Sequence, residues 1–249
     1  MTTSTVVSIR GHARTWNWIK HRILPVLDLV AGPDAHWIWA GPKTHTVTDE
    51  GLRADFGTRS HEIIWVEPPP DSNSYTGPAY YDYQAWPSIR SRAPQHVILT
   101  RPDLVLWLPN DERSPGGARA DEPLEAGELR GWMPTWQGDR WATSDFYARM
   151  GLEAANLLHH RWLRPLDVLG ADASLGQYIV DQGIYSTCRS EPNRGALASY
   201  IVRPGDAIPD RPGAQTNQNT LWPTLSPLVR QRLCQRHQID PRDYGLEAG

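Results

Sequence analysis

Short apolar runs alternate with one long helical stripe through the first hundred residues. Val6-Val7-Ser8-Ile9 is β-branched and reads as a strand. After the polar turn Arg10 to Arg14, Thr15 caps a predicted helix to Val30, in which Trp16, Ile19, Ile23, Leu27 and Val30 recur at helical spacing. Lys20, His21 and Arg22 interrupt that stripe and belong on its outer side. Pro25 removes one donor and predicts a kink. Trp37-Ile38-Trp39 reads as a second strand and Glu62 to Val66 as a third, with a polar stretch from Lys43 to Gly57 between them. Asp71 to Pro94, rich in tyrosine and proline, reads as an irregular loop packed on something. His96–Leu99 and Leu104–Leu108 read as strands joined by Arg101-Pro102-Asp103.

The second half patterns differently. Asn110 to Glu128 is rich in Gly, Pro and acid and reads as a linker or loop. Ser144 and Asp145 open a predicted long helix whose apolar members are Phe146, Met150, Ala154, Leu157 and Leu158. His159, His160, Arg161 and Arg164 close it, and Pro165 stops it. A short helix is expected from Leu175 to Gln182, a strand from Ala198 to Val202, and a last helix opening at Ser226-Pro227.

The order strand, helix, strand, strand predicts an α+β fold: a ferredoxin-like (RRM-like) β-α-β-β unit followed by a more helical C-terminal half. The expected organisation is a domain over 1–110, a linker over 111–128, and a helix-rich part over 129–249 that shares the core.

Composition narrows the class. The 249 residues suffice for a core, and no apolar run approaches the ~18 residues of a membrane span. With no signal-peptide core in Met1 to Lys20, and with only Cys188 and Cys234, a soluble cytoplasmic protein without a disulfide framework is expected. Net charge is −3, but the middle, 67–128, is acidic and both ends are mildly basic. Of 25 basic residues only Lys20 and Lys43 are lysine. A GC-rich genome explains such arginine richness, and so does phosphate contact through a bidentate guanidinium. Twelve tryptophans against two phenylalanines suit cores, interfaces and base stacking alike.

Motif searches mostly exclude. No histidine pair has metal-ligand spacing, so neither metal nor cofactor is expected. There is no phosphate-binding Gly-x-x-x-x-Gly-Lys-Ser/Thr, no Gly-x-Gly-x-x-Gly and no Gly-x-Ser-x-Gly. Two basic constellations remain. One holds Arg10, His12, Arg14, Lys20, His21 and Arg22, with Trp18 among them. The other holds Arg189, Arg194, Arg203, Arg230, Arg232, Arg236 and Arg242. Guanidinium groups interleaved with rings are what single-stranded or hairpin RNA needs. Arg14, Lys20, Arg189, Arg194, Arg203, Arg230, Arg232, Arg236 and Trp18 are the candidate RNA contacts. In metal-free cleavage by the neighbouring 2′-hydroxyl, His12 is the candidate base, and Arg10, Arg22 and Arg242 the candidate stabilisers of the pentavalent phosphate.

On the strands Val6–Ile9, Trp37–Trp39 and Glu62–Val66, the helix Thr15–Val30 and the arginine-rich ends, the chain resembles the repeat-associated CRISPR proteins with ferredoxin-like cores. It is closest in outline to the RNA-processing endonucleases of plasmid-borne type IV systems. That resemblance implies cutting of precursor CRISPR RNA and retention of the product in a ribonucleoprotein complex with other subunits. Two other classes fit parts of the sequence. One is a noncatalytic phage or plasmid assembly protein docking through tryptophan-rich patches. The other is an ADP-ribosyltransferase-like enzyme, on the order Arg10, Ser186-Thr187, Glu191.

Overall fold

The computed structural model describes residues 5–13, 15–67, 69–72, 76–107, 124–131, 134–136, 138–139, 141–143, 147–163, 171–186, 198–201, 228, 231, 232 and 235. The first half alternates strand and helix: β1 (Thr5–Arg10), α1 (Trp16–Ala31), β2 (His36–Gly41), α2 (Asp49–Phe56), β3 (Ser60–Trp65), α3 (Thr76–Ser91) and β4 (His96–Thr100). There follow β5 (Leu104–Trp107), β6 (Glu128–Arg130), β7 (Thr135–Trp136), β8 (Trp141–Ala142), β9 (Tyr147–Gly151), α4 (Leu152–His159), α5 (Ala171–Asp181), β10 (Tyr185–Ser186) and β11 (Ala198–Ile201). A 3-10 turn, Arg161–Leu163, follows α4.

Seven strands make one sheet in the order β3-β2-β1-β4-β9-β6-β10. β1 lies parallel to both β2 and β4, and β2 parallel to β3. β9 runs antiparallel to β4 and to β6, and β10 pairs parallel with β6. Two small antiparallel pairs, β5 with β11 and β7 with β8, stand outside this sheet.

This corrects the ferredoxin-like expectation. A β-α-β-β unit joins its last two strands as an antiparallel hairpin. Here Trp37 lies opposite His61 and Gly41 opposite Trp65 in parallel register. Parallel neighbours need a crossover of about a dozen residues or more, usually helical. That crossover is α2, inside the polar stretch 43–57. The Thr48 hydroxyl caps it, accepting from the Gly51 amide at 3.1 Å, and Asp49 and Glu50 suit its positive end. Only Leu52 and Phe56 of α2 are buried, so it leaves a faint apolar stripe. The architecture is therefore a wound α/β sheet extended on one side by mixed strands.

β1, β2 and β4 are covered on both faces, which is why their sequences read as largely apolar runs, whereas the edge strand β3 is only half-buried. One face carries Val7, Ile9, Trp37, Trp39 and Ile98, packed under Trp16, Ile23 and Leu27 of α1 and Phe56 of α2. The other carries Val6, Ile38, Ala40, Val97 and Leu99, packed under Tyr81, Ala85, Trp86 and Ile89 of α3 and Leu158 of α4. Trp16 stands edge-on to Trp39 with ring centroids 5.1 Å apart, and its indole N–H donates to Asp55 at 2.8 Å.

Two further expectations change. Residues 76–91, inside the segment read as irregular, are α3; Tyr81, Ala85, Trp86 and Ile89 form its buried stripe. The helix expected from Ser144 is instead β9 followed by α4. Gly151 is the junction: a Cβ there would sit 2.1 Å from the Glu125 carbonyl oxygen, so only glycine admits that crossing chain. Leu228, Gln231, Arg232 and Gln235 are helical, within the last predicted helix.

Candidate functional site

In a wound α/β sheet, ligands bind beyond the carboxyl ends of the strands, where the strand order reverses. From β1 the chain proceeds through β2 to β3, then crosses by α3 to β4 on the other side of β1. The reversal lies between β1 and β4, whose carboxyl ends carry Arg10 and Thr100. Gly11, at φ +121°, turns the chain after β1, and its amide donates to the Ala40 carbonyl at 3.0 Å. Gly41 ends β2 so close by that a Cβ would lie 2.3 Å from the Gly11 oxygen. On the other flank, a Cβ on Gly11 would meet Pro102 at 3.6 Å, so the turns after β1 and β4 abut.

Beneath this edge lies a charged cluster shut off from solvent. Arg10 Nε is 2.9 Å from one oxygen of Asp82, and Arg161 Nη2 is 2.6 Å from the other. All three side chains are at most 1% exposed. Arg161 Nη1 also donates to the Leu158 carbonyl at 2.8 Å. His159 is buried beside them; burial lowers its pKa from 6.5 to about 4, against the opposing pull of Asp82. Its Nδ1 donates to the Ala155 carbonyl at 2.6 Å.

At the rim, Arg101 grips Asp103 through two bonds, Nε to Oδ1 at 2.9 Å and Nη2 to Oδ2 at 2.8 Å. Both are partly exposed. His12 is exposed, with the Tyr81 hydroxyl 3.3 Å from its Nε2. The edge thus presents the Arg101 guanidinium, the Asp103 carboxylate and the His12 imidazole around a glycine-lined turn. Among the described residues no three His, Cys, Asp or Glu side chains gather as metal ligands. Asp82 and Asp103, the carboxylates flanking the switch point, each have both oxygens engaged by arginine, so this donor set does not fit a divalent cation.

The residues singled out from sequence are distributed as follows. Arg10 and His12 stand at the switch point. Arg22 is half-buried on α1, and Arg242 lies outside the described residues. Lys20 is tied to Asp55 at 2.6 Å, and Trp18 is half-buried on α1. Arg232 is exposed on its helical segment. Arg14, Arg189, Arg194, Arg203, Arg230 and Arg236 lie outside the described residues. Asp82, Arg161, Arg101 and Asp103 were not foreseen as site residues. An aspartate set among Ala79, Ala85, Trp86 and Ile89 on a helical stripe was the available signal, hidden while the segment read as a loop.

No family model matches the chain, and no curated protein matches its sequence. Solved structures of similar outline include a glycosyltransferase involved in glycosylation of the major capsid of PBCV-1, at 8% identity and TM-score 0.42, covering 76% of this chain and 79% of that one. A second is a putative nucleotide-diphospho-sugar transferase from Desulfovibrio desulfuricans G20, at 11% identity and TM-score 0.39, covering 73% and 75%. A third is a mannosyltransferase from Pyrobaculum calidifontis in complex with GDP-Man and Mn2+, at 11% identity and TM-score 0.45, covering 73% and 53%.

These findings correct the functional expectations. The resemblance to CRISPR RNA-processing proteins stood on the ferredoxin-like order, which the parallel β1, β2 and β3 remove. RNA as partner, endonuclease activity and a ribonucleoprotein role fall with that resemblance. The ADP-ribosyltransferase-like order falls too, because Arg10 is not an open ligand contact but is buried against Asp82. The assembly reading relied on tryptophan-rich contact patches and proline-rich loops; Trp16, Trp37, Trp39 and Trp86 are core residues, while Trp136 is exposed. Among the described residues no helix is long and apolar enough to cross a membrane.

Proposed function

We propose that this chain is a transferase that binds a nucleoside-diphosphate sugar at the carboxyl edge of β1 and β4. The observation that carries the reading is the switch point itself: a reversal of strand order whose rim holds His12, Arg101 and Asp103 around the Gly11 turn, with Arg10 buried beneath it. An anionic ligand suits it, because guanidinium forks match phosphate oxygens in pairs. The Gly-x-Gly-x-x-Gly turn of dinucleotide folds is missing from the sequence, which favours a mononucleotide. Sugar nucleotides are the probes of choice, since the similar structures are of sugar transferases.

In the transfer, an acceptor hydroxyl oxygen bonds to the anomeric carbon as that carbon's bond to the diphosphate breaks. The nucleoside diphosphate leaves with the bonding pair, and the hydroxyl proton passes to a base. His12, exposed at the rim with Tyr81 against its ring, is the residue placed to take it.

The test is a thermal-shift panel of UDP-glucose, UDP-galactose, GDP-mannose, UDP and GDP, with and without Mn2+, followed by an assay for released UDP or GDP. A ligand at about 100 times its Kd adds about 2.7 kcal/mol. In a chain of this size that raises Tm by roughly 5–10 °C. No shift with any nucleotide under either condition refutes the reading.

A further inference from the structure

Both carboxylates that flank the switch point are already clasped by arginine. Asp82 gives one oxygen to Arg10 and the other to Arg161. Asp103 gives one oxygen to Arg101 Nε and the other to Arg101 Nη2. A divalent cation needs carboxylate oxygens, and here it would have to break charge-assisted pairs to obtain them. The described residues offer no alternative group of three ligands. Arg101, partly exposed at the same edge, carries a guanidinium that can meet a diphosphate directly.

We propose that the site takes its nucleoside diphosphate without a divalent cation, Arg101 supplying the phosphate contact that a metal would otherwise make. The proposal rests on the nucleotide-sugar reading above. Arg101 stands in the turn after β4, partly exposed, beside the Pro102 ring that packs against Gly11. Asp103 holds the Nε and Nη2 edge of its guanidinium and so fixes the plane of the fork; it is a positioning residue, not a metal ligand. Charge neutralisation built from arginine costs no ion and is independent of metal supply.

The experiment is calorimetric titration of the full chain with UDP and GDP, in excess EDTA and again in Mn2+, for the wild type, Arg101→Gln, Arg101→Lys and Asp103→Asn. The expected result is wild-type affinity in EDTA within about threefold of that in Mn2+. Arg101→Gln should weaken binding by roughly tenfold to hundredfold, the range for a lost hydrogen bond to a charged group. Arg101→Lys, which keeps the charge but not the fork, should fall between. Asp103→Asn should weaken binding several-fold by the same factor with and without Mn2+. Wild-type binding that appears only with Mn2+ overturns the proposal and needs no variant to be folded. So does an Asp103→Asn loss confined to the Mn2+ arm, or EDTA-resistant binding that Arg101→Gln leaves untouched. Absence of binding in both arms refutes the nucleotide reading instead, so the two failures are distinct.

Discussion

Replacing Asp82 by asparagine should be among the most damaging single changes to this protein. The side chain is fully buried and each oxygen faces a different guanidinium, at 2.9 and 2.6 Å. Asparagine keeps the volume but swaps one acceptor oxygen for an NH2 donor, which then meets an N–H donor of Arg10 or Arg161. It also strips the carboxylate charge from two guanidiniums that are at most 1% exposed. Removing one partner of a buried ion pair typically costs about 3–5 kcal/mol. For a chain of this length, each kcal/mol moves Tm by roughly 2–4 °C. The expected drop is therefore about 6–20 °C, read by circular dichroism and by the urea midpoint of tryptophan fluorescence. Replacing all three members together, Arg10→Met, Asp82→Leu and Arg161→Met, should recover much of that loss, because well-packed apolar groups often match a buried triad. An Asp82→Asn variant melting within about two degrees of wild type would refute the account of the triad as a desolvated, mutually dependent unit.

Three other outcomes follow from the same structure. His159 and His36, both lowered to about 4 chiefly by burial, stay neutral in the folded chain, while the unfolded chain takes the proton near 6.5. Their contribution is present above pH 6.5 and lost as pH falls toward 4, about 3 kcal/mol for His159; His159→Phe should flatten that acid limb in pH-dependent melting curves. Trp37→Ala, which empties a site 2% exposed, should cost about 3–5 kcal/mol in urea unfolding. Gly41→Ala would press a Cβ onto the Gly11 oxygen and displace the turn after β1; nucleotide titration should show affinity falling more than tenfold, about 1.4 kcal/mol.

What was legible in the sequence was local. β1, α1, β2, β3, β4 and β5 announce themselves by β-branched runs and by one helical stripe, because a buried face must be apolar whatever its partner. Thr48, Asp49 and Glu50 held the capping signature of α2, faint because only Leu52 and Phe56 of that helix are buried, and Ala85, Trp86 and Ile89 the stripe of α3, masked by tyrosines and prolines. Missing α2 had the larger consequence. Without a crossover helix, β2 and β3 read as a hairpin; with it they are parallel, and the fold changes class. Strand direction is not encoded within a strand, since the same residues satisfy parallel and antiparallel ladders; the length and helicity of the connection decide it. The site was decided in the same way. Arg10 and His12 were picked out for their chemistry, yet their surroundings come from α3, from the turn after α4 and from the turn after β4. Only the tertiary structure brings Arg10, Asp82 and Arg161 together from positions far apart in the chain. Burial then turns an arginine suited to binding ligand into one that holds a carboxylate, because a guanidinium removed from water must find its counter-charge inside the protein.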